Sequence, residues 1–553
     1  LWNIARAATF GTLLIITALT ILYGAQVREV LGSVLVYPAI LFLALGLPRM
    51  CFRFWKDSHL PDASKTAGLQ RVLVLGAGRS GALLERELRH RGASDVIGFL
   101  DDDERLRGAQ VHGIPVLGTL DQLPRIGREV GADLAIIAMP SATNQQMRRV
   151  VEICEKSDLE FRTLPTLNDL GNKATRIDDL KRVAIDDLLG REPVSLVWDS
   201  IRDGLAGKRV MITGGGGSIG SELCRQIERL NPVELIVVDN SEYALYRIDH
   251  ELHSEFQDLI FYSVLGDICD PATVEKVVGE YRPDMIFHAA AYKHLPILQT
   301  QIREAFRNNV LGTMRLAEAA ERHAVGTFVL ISTDKAVNPA NIMGATKRVA
   351  EMYCQNMNAS SHTRSITVRF GNVLNSNGSV VPLFKEQIAK GGPVTVTHPE
   401  ISRYFMTISE ASQLIMQAAV LGSGGEIYVL DMGEPIKITY LAEQLIRLSG
   451  KEPGRDIQIV YTGLRPGEKL FEELFHELEP YEQTEHEKIF LAHPRQADWE
   501  NLSADLRAAE SAVTRYDTKT LKQILLRLVP ELAKTSISTK PGAAEVISIY
   551  RAS

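Results

Sequence analysis

The stretch "KRVMITGGGGSIGSELCRQIERL", Lys208–Leu230, decides the fold. It begins with an apolar run, passes through a glycine-rich turn and ends in a helical pattern of polar and apolar residues. Gly214, Gly217 and Gly220 stand at the G-x-x-G-x-x-G spacing. A strand, a glycine turn and a helix in this order open a βαβ unit, so the stretch predicts a parallel α/β sheet with a nucleotide site at the turn.

Each glycine of this turn has a separate expected role in binding a dinucleotide. Gly214 permits the tight turn, Gly217 lets the backbone approach a pyrophosphate, and Gly220 permits close packing of helix on strand. The amino terminus of the helix favours the negative charge of the phosphates. Ser218 and Ile219, which lie between the last two glycines, are assigned to the same cofactor site.

The following strands extend the cofactor site. "VELIVVDN" ends with Asp239, placed to hydrogen-bond a ribose diol and to repel a 2′-phosphate, which favours NAD over NADP. "SVLGDICD" puts Asp267 and Ile268 at the end of a third strand, as neighbours of the adenine. "DMIFHAAAYKHLP" supplies a fourth strand that opens onto the small residues Ala289 and Ala290 beside the cofactor.

A second glycine fingerprint lies nearer the amino terminus. "RVLVLGAGRSGALLERELRH" carries Gly76, Gly78 and Gly81 at the G-x-G-x-x-G spacing between a strand pattern and a helix pattern. The sequence therefore predicts two Rossmann-like parallel-sheet domains in tandem. Whether the first domain binds a regulatory nucleotide or is purely structural stays open at this point.

The amino-terminal region predicts a membrane hairpin. Ala7–Val27 and Val30–Pro48 carry no charge, and each is close to the ~20 residues that cross a bilayer. Arg49, Arg53 and Lys56 follow the second run, so the remaining chain is expected on the cytoplasmic side. A signal peptide and a buried soluble hairpin are the alternatives. The chain begins with leucine, and further membrane segments are expected upstream.

Composition excludes some functions. The chain has 61 basic and 68 acidic residues and a net charge of −7, which argues against a nucleic-acid partner. Its five cysteines are too scattered for a metal knuckle or a disulfide framework, so no metal is expected.

Several motifs together resemble a known family. "TGGGGSIG", "GDICD", "HAAAYKHLP", "NNVLGT", "STDKAVNP" and "RFGNVLNSNGSVVPLF" are similar to those of the extended short-chain dehydrogenase/reductases. With the hairpin and the first, CoA-binding-like domain, the chain resembles the membrane-anchored nucleotide-sugar 4,6-dehydratases of bacterial capsule, O-antigen and glycan synthesis. The resemblance implies an NAD-dependent enzyme that converts UDP-N-acetylglucosamine to a 4-keto-6-deoxy sugar nucleotide.

The resemblance also implies catalytic roles. Hydride removal from C4 of the sugar acidifies the C5 hydrogen, so the reaction needs a base at C5 and an acid at the C6 hydroxyl. The family's Thr-Asp-Lys motif matches Thr333, which would bond the substrate near O4, Asp334 as the acid and Lys335 as the base. The alternative for Asp334 and Lys335 is a solvated loop pair. Their place after the strand pattern "TFVLIS" favours a site, since open sheets bind ligands at the carboxyl ends of strands.

One position departs from the wider superfamily, in which a tyrosine and a lysine four residues later share a helix face. Lys347 is present here, but Met343 occupies the tyrosine position and has no ionisable proton. We expect Lys347 to hold the ribose and a water beside Met343, oriented by Thr333 and Lys347, to take the O4 proton. The alternative is a catalytically inactive relative.

Further residues are expected to bind the nucleotide-sugar. Arginine suits a diphosphate because its planar fork donates two parallel hydrogen bonds, although surface ion pairing is the alternative for each arginine. The expected substrate residues are Lys293, His294, Arg369, Asn372, Ser379, Arg403, Arg465 and Glu468.

These patterns divide the chain into transmembrane helices at 1–55, a linker at 56–70, the first Rossmann-like domain at 71–195, the catalytic domain with a sugar-nucleotide lobe at 205–500, and a helical segment with a mobile tail at 501–553. The expected location is the bacterial inner membrane, multi-pass, with the catalytic domain in the cytoplasm, and the expected assembly is a homo-oligomer. The alternative functions are a nucleotide-sugar 4-epimerase and a non-catalytic membrane scaffold that senses NAD or nucleotide-sugar.

Overall fold

The computed structural model describes Thr17, Ile21 and residues 69–535, except for gaps at 92–93, 143, 158, 165–180, 183–195, 197, 257–259, 477–478 and 494–496. The predicted membrane hairpin, nearly all of the predicted linker and the carboxyl-terminal tail lie outside the described residues. None of the helices in the described part is long and apolar enough to cross a bilayer.

The chain forms two compact units, Leu1–Ala138 and Met139–Ser553. The predicted end of the first domain, at residue 195, stays a prediction because most of residues 165–195 lie outside the described part.

The first unit is an α/β sheet with its glycine turn after the first strand. The strand order is β3-β4-β2-β1-β5, and β1 pairs in parallel with both neighbours. The elements are β1 (Gln70–Leu75), α1 (Arg79–Arg91), β2 (Ser94–Leu100), β3 (Gln110–Val111), β4 (Ile114–Gly118), α2 (Leu123–Val130) and β5 (Leu134–Ile137).

The start of the second unit contains a helix and two strands. They are α3 (Asn144–Glu155), β6 (Glu160–Thr163) and β7 (Lys181–Arg182), and the two strands pair antiparallel.

The second unit is built on a nine-stranded sheet. Its order is β10-β9-β8-β11-β12-β13-β18-β22-β21, and only the pairs that involve β22 are antiparallel. The strands are β8 (Arg209–Thr213), β9 (Glu234–Asp239), β10 (Phe261–Leu265), β11 (Met285–His288), β12 (Thr327–Ile331), β13 (Arg364–Arg369), β18 (Ile427–Leu430), β21 (Tyr481–Gln483) and β22 (Ile489–Ala492). Strand order reverses beside β8, which places a ligand crevice at its carboxyl end.

Three two-stranded sheets accompany the large sheet in this unit. β14 (Asn372–Val373) pairs with β17 (Phe405–Met406), β15 (Val394–Val396) with β20 (Ile459–Tyr461), and β16 (Ser402–Arg403) with β19 (Ile436–Lys437).

Helices connect the strands of the second unit. They are α4 (Trp198–Leu205), α5 (Ser218–Glu228), α6 (Glu242–Glu255), α7 (Pro271–Tyr281), α8 (Leu295–Leu298), α9 (Ile302–Phe306), α10 (Thr313–Arg322), α11 (Ile342–Asn358), α12 (Val380–Ala389), α13 (Ile408–Leu421), α14 (Ile438–Leu448), α15 (Trp499–Thr514), α16 (Thr518–Leu528) and α17 (Glu531–Thr535). A π-helical turn, Arg307–Gly312, joins α9 to α10.

The apolar strands of the second unit are buried on both faces. In β8, Met211 enters one hydrophobic cluster, while Val210 and Ile212 enter another. Side chains alternate across a strand, so the two clusters lie on opposite faces of the sheet. The predicted parallel α/β architecture is confirmed for this unit. Helices α15 and α16 belong to its core, because Leu506 and Leu521 are fully buried in the first cluster.

We predict that Gly220→Ala lowers the free energy of unfolding of the second unit by about 2 to 3 kcal/mol. A Cβ on Gly220 would lie 2.1 Å from the backbone oxygen of Gly214, which cannot move without distorting the turn. Gly217→Ala is the matched control, because its Cβ would approach only Gly214 O, at 3.1 Å. Urea unfolding followed by circular dichroism measures both. Equal stability of the two variants would contradict this account of the turn.

Candidate active site

A cavity of about 1320 Å³ lies in the second unit. Its floor is formed by residues at the carboxyl ends of β8, β9, β11 and β12, where a parallel sheet binds ligands. Its other wall comes from the segment after β13 and from residues 395–472.

The glycine turn forms one end of the cavity. Gly214 has φ +71°, and its N–H donates to Val238 O at 2.7 Å. A Cβ on Gly214 would lie 2.7 Å from the backbone of Ala289 and Ala290, so the turn and the end of β11 touch through backbone alone. Apart from Gly214 O, nothing lies within 4 Å of a Cβ on Gly217, which leaves room for a pyrophosphate against helix α5.

Asp239 lines the cavity beside the glycine turn. Its Oδ2 accepts from Gly216 N at 2.9 Å and its Oδ1 from Ser241 N at 2.8 Å. A carboxylate has about four acceptor positions, so two remain for a ribose diol. The donors and acceptors fit NAD. The predicted cofactor residues that line the cavity are Gly214, Gly217, Ser218, Ile219, Gly220, Asp239, Ile268, Ala289, Ala290 and Lys347.

The predicted adenine contact of Asp267 stays a prediction. Its Oδ1 accepts from Cys269 N and its Oδ2 from Arg307 Nη2, both at 2.8 Å, and it does not line the cavity. Burial raises its pKa, but the hydrogen bonds from Cys269 and Arg307 outweigh burial and hold that pKa below its ordinary value. Its neighbour Ile268 faces the cavity instead.

The predicted acid/base pair lies at the carboxyl end of β12. Asp334 N donates to Phe370 O, which fixes the chain after β12 to the chain after β13. A short 3₁₀ turn, Asp334–Ala336, begins there, and the Thr333 hydroxyl caps it. Lys335 Nζ donates to Asp334 Oδ1 at 2.9 Å and to Asn372 Oδ1 at 2.8 Å.

The two members of this pair differ in access to the cavity. Lys335, Thr333 and Asn372 line it, whereas the fully buried Asp334 side chain lies behind Lys335. Asp334 Oδ1 also accepts from the Thr333 hydroxyl at 3.0 Å, and Oδ2 has no hydrogen-bond partner among the described residues. The arrangement can pass a proton between Asp334 and Lys335 and present the amine to a ligand.

Helix α11 contributes the two residues that mark the superfamily position. Met343 and Lys347 both line the cavity, and Lys347 Nζ donates to Ile331 O at 2.6 Å. Burial lowers the pKa of Lys347 to about 8, although nearby Glu351 acts in the opposite direction.

Arg369 was predicted to bind substrate, but in the structure its side chain is buried and does not line the cavity. Its buried guanidinium donates from Nε and Nη2 to Glu351 at 2.9 and 2.8 Å, and from Nη1 to Glu479 at 3.0 Å. Glu351 also accepts from the Ser332 hydroxyl at 2.6 Å. The cluster lies beneath the pair rather than in the cavity wall, and it ties β13, α11 and the end of β12 together.

Arg403 and Arg465 line the cavity, as predicted, but they differ in how they are held. The buried Arg403 donates to the carbonyls of Ser402, Lys469 and Leu470, so most of its donors are occupied. Arg465 is exposed. Four other predicted substrate residues, besides Asn372, also line the cavity: Lys293, His294, Ser379 and Glu468.

Burial within the cavity wall affects two of these side chains. Desolvation lowers the pKa of Lys293, even though part of its side chain is exposed. Desolvation and Lys293 together lower the pKa of His294.

Two buried residues at or near the cavity were not predicted from the sequence. Asn309, in the π-helical turn, exchanges hydrogen bonds with the backbone of Tyr292 and donates to Thr346 Oγ1. The paired asparagines of "NNVLGT" were its signal, because buried amides at a π-turn often serve a site. Glu472 lines the cavity and is buried, and nothing in its acidic surroundings "EKLFEEL" distinguished it.

Two protein-family models match the chain. A family model described as polysaccharide biosynthesis protein matches residues 210–494, and one described as CoA-binding domain matches residues 1–165. The capsular polysaccharide biosynthesis protein CapD of Staphylococcus aureus is 42% identical over 453 residues, which cover 81% of this chain and 75% of that protein. The chain belongs to the polysaccharide biosynthesis protein family.

Two further relatives, each covering 48% of this chain, are named for two different activities. A UDP-glucose 4-epimerase of Rickettsia canadensis is 34% identical, over 48% of this chain and 77% of that protein. A UDP-N-acetylglucosamine 4,6-dehydratase (inverting) of Campylobacter jejuni is 31% identical, over 48% of this chain and 77% of that protein. The polysaccharide biosynthesis family therefore places the chain among nucleotide-sugar dehydratases and epimerases.

We predict that Arg369→Met lowers the free energy of unfolding by about 3 to 5 kcal/mol, because it removes the buried cation that Glu351 and Glu479 share, and only Glu351 keeps a second cation, Arg348, among the described residues. Arg465→Met is the control, since this exposed residue should change stability by less than about 0.5 kcal/mol. Urea unfolding measures the free energy of unfolding of both variants. An Arg369→Met variant as stable as wild type would show that the cluster does not support the fold.

We also predict a pH-dependent stability difference at Lys347. The folded pKa of about 8 lies below the ordinary value of 10.5, so between these pH values the unfolded chain holds a proton that the folded chain lacks. Stability of wild type therefore rises with pH over this window, by about 3 kcal/mol relative to Lys347→Met. Urea midpoints at pH 7 and pH 10.5 provide the measurement. A difference between the two proteins that does not change with pH would rule out the depressed pKa.

Proposed function

We propose that this chain is an NAD-dependent 4,6-dehydratase that converts UDP-N-acetylglucosamine to the corresponding 4-keto-6-deoxy sugar nucleotide for polysaccharide synthesis. The observation that carries the proposal is the Lys335–Asp334 contact of 2.9 Å on the wall of the cavity that also contains the glycine turn. A hexose held there would lie between a cofactor and a proton-transfer pair.

The cofactor end supplies the redox chemistry. When bound, NAD accepts hydride from C4 of the sugar and returns hydride to C6. Lys347 and Asp239 would hold its ribose groups, and Gly217 would face its pyrophosphate. Met343 cannot take a proton, so the O4 proton passes to a water beside it that Thr333 and Lys347 orient.

The proton-transfer pair serves C5 and C6. The Lys335 proton moves to Asp334 across their hydrogen bond, which gives a neutral amine and a neutral acid. Lys335 Nζ then takes the C5 proton, while the Asp334 proton reaches O6 through the Thr333 hydroxyl: Thr333 lines the cavity, gives its own proton to O6 and takes the proton of Asp334 in return. The C5–H and C6–O bonds break, a C5–C6 double bond forms and water leaves.

The second half of the reaction restores the pair. After elimination, Asp334 is again a carboxylate and Lys335 again an ammonium. Lys335 returns a proton to C5 as hydride reaches C6, and the proton released earlier from O4 restores the ammonium. The overall change is the loss of one water, with no net oxidation.

The diphosphate would lie near the exposed Arg465 and the amino terminus of α12, where Ser379 is the N-cap residue. The Ser379 hydroxyl has no hydrogen-bond partner among the described residues, so it is available to a ligand. Arg403 supports this wall through its bonds to Lys469 and Leu470 rather than by binding phosphate directly.

We further propose that the uncharged runs at 7–27 and 30–48 anchor the enzyme in the bacterial inner membrane with the catalytic unit in the cytoplasm. This proposal rests on the length of the runs and the basic residues that follow them. A synthetic enzyme for surface polysaccharide would then meet its soluble nucleotide-sugar at the membrane.

We predict that incubation of the full chain with NAD and UDP-N-acetylglucosamine gives a product lighter by one water. Lys335→Met should abolish the mass change, because no other amine in the described part of the chain is hydrogen-bonded to Asp334. Mass spectrometry follows the product. Arg465→Lys is the matched cationic control and should retain turnover with a raised KM.

Other outcomes identify the alternatives. A 4-epimerase would give a product of unchanged mass and inverted C4 configuration, which NMR detects. A scaffold would give no product with this nucleotide-sugar. Either result would overturn the dehydratase proposal.

A further inference from the structure

The cavity wall contains a carboxyl group to which none of the roles above is assigned. Glu472 lines the cavity, yet its side chain is only 2% exposed. It follows the segment that carries Arg465 and Glu468, on the wall opposite the glycine turn. Buried glutamates are rare unless they are paired, so the position needs a physical reason.

Arg403 holds the segment that carries Glu472. Its guanidinium donates to the carbonyls of Lys469 and Leu470 at 2.7 and 3.2 Å, which fixes the backbone just before Glu472. Its Nε lies 3.7 Å from Glu472 Oε1, a distance that makes an ion pair but no hydrogen bond. The backbone therefore positions the Glu472 carboxyl, and Arg403 does not occupy its hydrogen-bonding positions.

The hydrogen-bonding capacity of Glu472 is unused within the described residues, none of which donates to its carboxyl or accepts from it. Because the group faces the cavity, a ligand can supply the missing partner. This separates Glu472 from Glu468, whose two oxygens accept from Thr397 Oγ1 and Arg465 N.

The charges around Glu472 indicate where on the ligand it acts. Burial and the Asp334 carboxylate raise its pKa, while Lys335, Arg403 and Lys469 act in the opposite direction, and the net direction is upward. Lys335 and Asn372 line the same cavity as Glu472, so the carboxyl faces the cavity into which the Lys335 amine is presented. It favours the neutral form, which both donates and accepts a hydrogen bond.

We propose that Glu472 hydrogen-bonds the C6 hydroxyl of the hexose and holds this leaving group beside the Asp334–Lys335 pair. The inference rests on the proposed function, because that pair is assigned to C5 and C6. C6 is the exocyclic carbon that a group on the wall next to the pair would reach. Glu472 is thus a substrate-positioning residue that determines specificity for a 6-hydroxy sugar.

The experiment compares UDP-N-acetylglucosamine with its 6-deoxy analogue in a single-turnover assay with NAD. Both sugars can lose hydride from C4, so NADH absorbance reports the first step for both. For Glu472→Ala, we expect the half-saturating concentration to rise about tenfold for the substrate and less than about twofold for the analogue. Glu472→Gln keeps the shape of the side chain. For this variant, we expect the half-saturating concentration of the substrate to rise about threefold, again with a smaller change for the analogue.

Glu473→Ala is the matched control. This neighbouring carboxylate pairs with Lys469 at 2.8 Å and does not line the cavity, so its removal should affect both sugars equally and slightly. Equal losses for both sugars in the Glu472 variants, or no loss for either, would overturn the assignment. Wild type that forms no NADH with either sugar would instead overturn the proposed function, so the two failures are distinguishable.

Discussion

The contact between Lys335 Nζ and Asp334 Oδ1, at 2.9 Å, is the interaction on which the catalytic unit depends. A buried ammonium and carboxylate stay together only when the surrounding structure fixes both. Here the Asp334 amide is fixed by the chain after β13, and Asn372 holds the lysine from the other side. The pairing of β12 with β13 therefore helps to set the geometry of the contact between Lys335 and Asp334.

A second buried charge cluster supports the first. Arg369, Glu351 and Glu479 lie beneath the cavity and join β13 to helix α11 and to the segment before β21. Helix α11 also carries Met343 and Lys347, so the cluster holds the helix that brings these two residues to the cavity. The ion pairs of Arg369 with Glu351 and Glu479 thus fix the relative positions of these elements. A buried charge without its partner would lower the free energy of unfolding.

The sequence predicted the parts of the site that backbone geometry determines. Gly214 and Gly220 need no side chain to act, and their spacing alone places a strand, a turn and a helix. The ion-pair partners of Arg369 and Asp267 could not be predicted in this way. Arg369 pairs with residues 18 and 110 positions away, and Asp267 with Arg307, 40 positions away. Long-range partners of charged side chains follow from tertiary packing, which no local pattern shows.

If the cofactor turn and the proton-transfer pair serve one bound sugar, C4 and C6 react without release of that sugar. This is tested with UDP-N-acetylglucosamine that carries deuterium at C4, mixed with a ¹³C-labelled but undeuterated substrate. We expect deuterium at C6 of the same molecules that carried it at C4. Deuterium found in solvent, or on the ¹³C-labelled product, would contradict it.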